Sequence, residues 1–204
     1  MAAIARDGRE NNLKALVTDA SNDFTLDIVR CLGKRGIDVY VRGKPSTHGL
    51  DVSFHSRYCK EKIIGPDPKK DEYVEFLAQT LRSRNIDILI PASYFSTEKI
   101  ARNRTKLDPL THIEIAKLES IKLAGSKKRT YELAKALGVP YPKTIYPRDF
   151  DEVKEISRNI KYPVVIKPIS ARAEAKATGK PVTIEKEETL PDATTRIQYT
   201  LLED

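Results

Sequence analysis

In ALVTDASNDFTLDIVRCLGKRGIDVYV, Ala15 to Val41, an apolar strand, a short turn, an amphipathic helix and a second strand follow one another, and the turn holds no glycine. The order of elements prescribes a βαβ unit. The missing glycines limit what that unit can hold. A dinucleotide pyrophosphate must approach the backbone closely, and only glycine leaves room for it at the turn. The helix N-terminus must also face the phosphates with free N–H groups. Here the nearest glycines, Gly33 and Gly36, come at the far end of the helix, while Asp19 and Asp23 put carboxylates where the anion would sit. The sequence therefore predicts βαβ topology without a pyrophosphate site and disfavours a nicotinamide oxidoreductase. Asn22 or Ser21 is expected to cap the helix, and Asp23 suits its first turn.

The alternation continues along the chain. Strands are expected at Lys14–Thr18, Ile37–Arg42 and Lys60–Ile64, with helices at Asn22–Lys34 and Asp71–Arg84. The first helix is expected to turn Phe24, Ile28, Val29 and Leu32 inward, and Cys31 reads as a small core residue. The second has Tyr73, Phe76, Leu77 and Leu81 on one face. IDILIPAS, Ile86 to Ser93, is a continuous apolar run of the kind a buried parallel strand needs. Ser96 or Thr97 is expected to cap a helix running to about Lys106, and HIEIA to add an edge strand. Tyr94 and Phe95 read as core packing, and the Ser93–Thr97 hydroxyls as caps rather than nucleophiles. This pattern predicts an open parallel α/β sheet whose ligands sit beyond the carboxyl ends of its strands, where Asp19, Arg42 and Ser93–Thr97 fall.

The texture changes near residue 115. Ser126–Leu137 reads as a helix stopped by Gly138, and VPYPKTIYP carries three prolines in nine residues, which forbids a helix. Another helix is expected at Asp149–Asn159, then a proline-bounded apolar strand, YPVVIKPI, a basic loop, and a strand at VTIEKE.

Composition narrows the class. The chain has 204 residues, 40% hydrophobic and 32% charged, with a net charge of +7. The basic residues are scattered as solvated helix faces and lack the aromatic interleaving of a nucleic-acid site, so no nucleic-acid partner is expected. No run approaches the roughly 20 apolar residues of a membrane span, so no membrane is expected either. The two cysteines stand outside any CxxC, and the expected setting is the cytoplasm. His48, His55 and His112 are isolated, and no metal site is expected among them.

The most specific constellation is AGSKKRTYELAKALGVPYPKT followed by YPVVIKP. Lys127 opens a helix eleven residues before Gly138, and Lys167 ends an apolar strand. A point cation on a rigid element suits a phosphate oxygen, and two from neighbouring elements can clamp a triphosphate. This stretch resembles the start of an ATP-grasp domain, which has a lysine opening a helix, GVPxPxT after it, and a strand ending in Lys-Pro. The preceding chain resembles the Rossmann-like domain that stands before the grasp, and the overall texture resembles carbamoyl-phosphate-synthase-like carboxylate–amine ligases.

The resemblance implies a Rossmann-like open parallel sheet at 12–115 and a small α+β grasp subdomain at 116–204. It implies nucleotide binding by Lys127 and Lys167, with Lys128 replacing Lys127 if the register slips by one. The family's glycine-rich phosphate loop corresponds to ISARAEAKATGKP. There Ser170, Arg172 and Lys176, with Lys180, offer polar and cationic groups around a single glycine, Gly179. The implied chemistry is ATP-dependent ligation of a small carboxylate to an amine through an acyl phosphate, with Mg²⁺. The chain is expected to be truncated or degenerate, to lack the metal-binding half, and not to ligate alone. Glu203 and Asp204 are a poor metal platform. A homo-oligomer or a complementary chain is an expected partner. The alternative reading is a non-catalytic nucleotide- or anion-binding protein on the same scaffold.

Overall fold

In the computed structural model, the described residues are 12–45, 51–147, 150–159, 164–168, 182–184 and 199–203. The chain divides into two compact units, Met1–Leu118 and Glu119–Asp204.

The first unit is built on four parallel strands in the order β3-β2-β1-β4: β1 Lys14–Val17, β2 Asp38–Gly43, β3 Cys59–Ile64 and β4 Ile88–Ile90. Helices connect them: α1 Asp23–Gly33, α2 Tyr73–Arg84 and, after β4, α3 Tyr94–Arg102 and α4 Arg104–Leu107. A single 3₁₀ turn, Val52–His55, precedes β3. Alternation along each strand splits the core in two. Leu16, Tyr40 and Leu89 join the α2 residues Tyr73, Leu77 and Leu81 in one cluster. Val17, Val39 and Val41 join Val29 of α1 and Phe54 of the 3₁₀ turn in the other. Both clusters are almost wholly removed from water, as a parallel sheet covered on two faces requires.

Several local expectations are corrected. The inward line of α1 is Thr25 and Val29 with Ile28 and Leu32 partly buried; Phe24 is exposed, because the stripe is rotated by one residue. Cys31 lies off that stripe and is exposed. Asn22 occupies the N-cap position of α1 without a side-chain cap; its amide instead donates across to the Ala92 carbonyl. The cap of α3 is Ser93, whose hydroxyl accepts from Ser96 N at 3.1 Å, one turn before the expected Ser96 or Thr97. The helix through Lys106 is broken at Asn103. HIEIA makes one bridge, Ile88 to His112, and no strand. Gly33 is fixed by space: a Cβ there would stand 2.4 Å from Cβ of Tyr58.

The second unit contains α5 Leu118–Ala124, whose first residue closes the first unit, α6 Lys127–Ala136 and α7 Phe150–Ser157. Its antiparallel sheet has the order β5-β8-β6-β7, with β5 Lys143–Ile145, β6 Val164–Pro168, β7 Val182–Ile184 and β8 Tyr199–Glu203. Ser126 caps α6 by accepting from Arg129 N, and Gly138 ends it at φ +68°. The strand β8 was not expected from the sequence. Glu203 pairs with both Lys143 and Val164 across the ladder, so it belongs to a strand rather than to an acidic tail.

Candidate functional site

The carboxyl ends of β1, β2 and β4 share one edge of the first unit, and the strand order changes direction between β1 and β4. In an open α/β sheet that point is the usual ligand crevice. Here it is zipped shut by protein. Thr18 N donates to Ile90 O at 3.1 Å, Ala92 N donates to Thr18 Oγ1 at 3.1 Å, and the Asn22 amide reaches Ala92 O. Asp19 sits at φ +63° in the turn, a conformation a short polar side chain tolerates. The turn is thus tied to the strand ends by its own side chains, with the Asp19 carboxylate in it. An NADH fluorescence titration is therefore expected to show no saturable binding; a micromolar dissociation constant would contradict this reading of the turn.

A relay of hydroxyls converges on that carboxylate. Tyr73 OH donates to Ser96 Oγ at 3.0 Å, Ser96 Oγ donates to Asp19 Oδ1 at 2.8 Å, and Thr18 Oγ1 donates to Asp19 Oδ2. Ser96 and Thr18 are fully buried. The relay joins the β1–α1 turn, α2 and α3, so it fixes three elements around one edge. Beside it lies Arg42, at the end of β2 and 1% exposed. Its guanidinium stacks 4.7 Å from the centroid of the Tyr73 ring. Its Nε and Nη2 are buried without a hydrogen-bond partner among the described residues. Leaving buried donors unmet costs about 1–3 kcal/mol, and more for a charged group.

Burial first, and the nearby Asp19 carboxylate second, push the Tyr73 phenol up to about 12 from its ordinary 10; the Ser96 hydrogen bond and the Arg42 charge pull weakly the other way. The unfolded chain then loses this proton near pH 10 while the folded chain keeps it to about pH 12. The stabilisation is whole below pH 10 and falls by roughly 2–3 kcal/mol as pH rises through 12. Unfolding free energies should therefore drop more steeply over this window in the wild type than in Tyr73→Phe. Parallel curves would contradict the assignment.

In the second unit, Lys127 is the first residue of α6 and half-buried. Lys128 is exposed, its ammonium 5.7 Å from the Tyr146 ring centroid. Lys167 lies on β6, paired with Thr200 of β8. Both Lys127 and Lys167 thus belong to the same compact unit. Ser170, Arg172 and Lys176, between β6 and β7, fall outside the described residues. Among the described residues no three His, Cys, Asp or Glu side chains gather where they could hold a metal ion. No described helix is long and apolar enough to cross a membrane.

No family model and no curated protein matches the chain. Solved structures share its fold. N5-carboxyaminoimidazole synthetase from Staphylococcus aureus, complexed with ADP, matches 96% of this chain and 48% of its own, with TM-score 0.65 and 14% identity. The biotin carboxylase domain of Hydrogenobacter thermophilus 2-oxoglutarate carboxylase is a dimer in complex with MgADP, ADP and bicarbonate. It matches 94% of this chain and 44% of its own, with TM-score 0.57 and 20% identity. N5-carboxyaminoimidazole ribonucleotide synthetase from Thermotoga maritima matches 95% and 46%, with TM-score 0.57 and 16% identity. At these identities the likeness is one of fold: a mixed α/β chain with a parallel four-stranded sheet. The chain spans about half the length of the structures it matches.

Proposed function

We propose that this chain is the nucleotide-gripping part of an ATP-dependent carboxylate–amine ligase of the ATP-grasp type. In this reading residues 12–115 form the Rossmann-like domain before the grasp, and 116–204 the first grasp subdomain. Its chemistry in this reading is that of the carbamoyl-phosphate-synthase-like ligases the sequence resembles. The observation that carries the reading is the fold itself: 94–96% of the chain matches a biotin carboxylase domain and a synthetase solved with bound ADP. It is supported by a lysine at the start of α6 and another near the end of β6, the two positions the sequence resemblance assigns to the nucleotide.

Lys127 and Lys167 would hold the triphosphate as two point charges, and the resemblance assigns the phosphate loop to Ser170, Arg172 and Lys176. ATP supplies the phosphoryl group that activates a small carboxylate for attack by an amine or ammonia. Such catalysis is mainly positioning and electrostatics. The resemblance implies Mg²⁺ ligands in the other half of such an enzyme, on a longer polypeptide or a complementary chain. By itself the chain then binds nucleotide without ligating. A homo-oligomer in the cytoplasm completes the proposal; one neighbour is a dimer.

The pinched β1–α1 turn favours this over an oxidoreductase. Calorimetry with ATP·Mg tests it: saturable binding to the second unit's lysines is the expected result, and the absence of any heat of binding would overturn it.

A further inference from the structure

Among the described residues, the Arg42 guanidinium is the one strongly buried cation that the proposed nucleotide site does not use. Its two unmet donors are not a random pair. Nε–H and the neighbouring Nη2–H form the side edge of the guanidinium, a fork that matches two oxygens borne on one atom. One face of the plane is covered by the Tyr73 ring, which fixes its orientation. The adjacent carboxylate does not fill the fork. Asp19 takes its hydrogen bonds from Thr18 and Ser96, and no ion pair joins it to Arg42 among the described residues. Arg42 also stands at the carboxyl end of β2, on the edge where such sheets bind ligands.

The 3₁₀ turn packs on the next residue. A Cβ on Gly43 would meet Asp51 Oδ2 at 2.8 Å and Phe54 Cζ at 2.7 Å. That turn carries a further unmet polar atom, the buried Ser53 hydroxyl. Two orphaned polar groups thus lie at or against one end of one strand.

We infer that Arg42 is the anchor of an oxyanion site in the first unit, taking a carboxylate or phosphate group side-on through Nε and Nη2. The site is independent of the nucleotide reading: it lies in Met1–Leu118, whereas Lys127 and Lys167 lie in Glu119–Asp204. A ligand enters with a local movement at the sheet edge, because both nitrogens are below the surface.

The test is a ¹H–¹⁵N titration of the arginine Nε–H resonances in the full chain, with succinate in one arm and inorganic phosphate in the other, against chloride at matched ionic strength. The Arg42 signal should move saturably with at least one of the two, and the arm that moves it names the class. Movement with neither, or equal movement with chloride, overturns the site. Arg42→Lys keeps the charge and removes the fork; binding of the effective anion should weaken about tenfold or more. Equal affinity in a folded Arg42→Lys chain also overturns it. Should that variant fail to fold, the wild-type titration still decides. Lys167→Ala should leave the Arg42 response unchanged, which separates failure of this site from failure of the nucleotide site.

Discussion

Leu77→Ala is expected to destabilise the protein by about 2–5 kcal/mol, the usual range for emptying a fully buried leucine site. Leu77 is 0% exposed and sits at the middle of the inward line Tyr73, Leu77 and Leu81 of α2. It packs in the cluster that includes Leu16 of β1 and Leu89 of β4. β1 is an interior strand of the sheet and β4 is hydrogen-bonded along it, so neither can slide inward without losing its register, the site collapses poorly and the cost falls in the upper part of the range. For a chain of this size each kcal/mol lowers the melting temperature by roughly 2–4 °C. Urea unfolding followed by circular dichroism should show a lower midpoint with the slope unchanged. A loss under about 1 kcal/mol would mean that α2 does not hold the sheet as described.

The second large effect is on ligand binding. Lys167→Ala should weaken ATP·Mg binding about tenfold or more, because a charge-assisted contact to phosphate is among the stronger single hydrogen bonds. Lys127→Ala should act in the same direction. Lys128→Ala should do little, since Lys128 is exposed and stacked near Tyr146. Equal heats for the wild type and Lys167→Ala would remove Lys167 from the site. A larger loss at Lys128 than at Lys127 would shift the helix register by one residue.

Much of the parallel sheet was legible because its strands are short apolar runs between amphipathic helices. Ile88–Ile90 lies within the run IDILIPAS, paired in parallel with β1. The reading of the β1–α1 turn rested on which residues lack a Cβ, and the structure closes that turn with Asn22 and Thr18. What stayed hidden depended on partners far apart in sequence. Ser96 looked like a cap, yet it is buried between Tyr73, 23 residues away, and Asp19, 77 away. Cys31 sits in an apolar stretch and still faces solvent, because burial on a helix follows its angle and not its neighbours. The central strand β8 was missed because Tyr199–Glu203 shows no clean alternation, only a Leu201–Leu202 pair between polar residues. Arg42 was placed at the right edge, but nothing in VRG reveals that its fork is left unmet.

The assignment of two lysines to a nucleotide rests on a different kind of signal. Their flanking residues, GVPYPKT and the Lys-Pro strand end, form a pattern rather than a periodicity. GVPYPKT follows α6 and runs into β5, and Lys167-Pro168 ends β6, all within one unit.

The central claim is that this unit grips a nucleoside triphosphate through Lys127 and Lys167. The most direct measurement is a backbone ¹H–¹⁵N titration of the chain with ATP·Mg. Saturable shifts centred on the amides at Lys127 and Lys167, with the β1–α1 turn silent, are the predicted result. Shifts confined to Thr18–Asp23, or none at all, would contradict it.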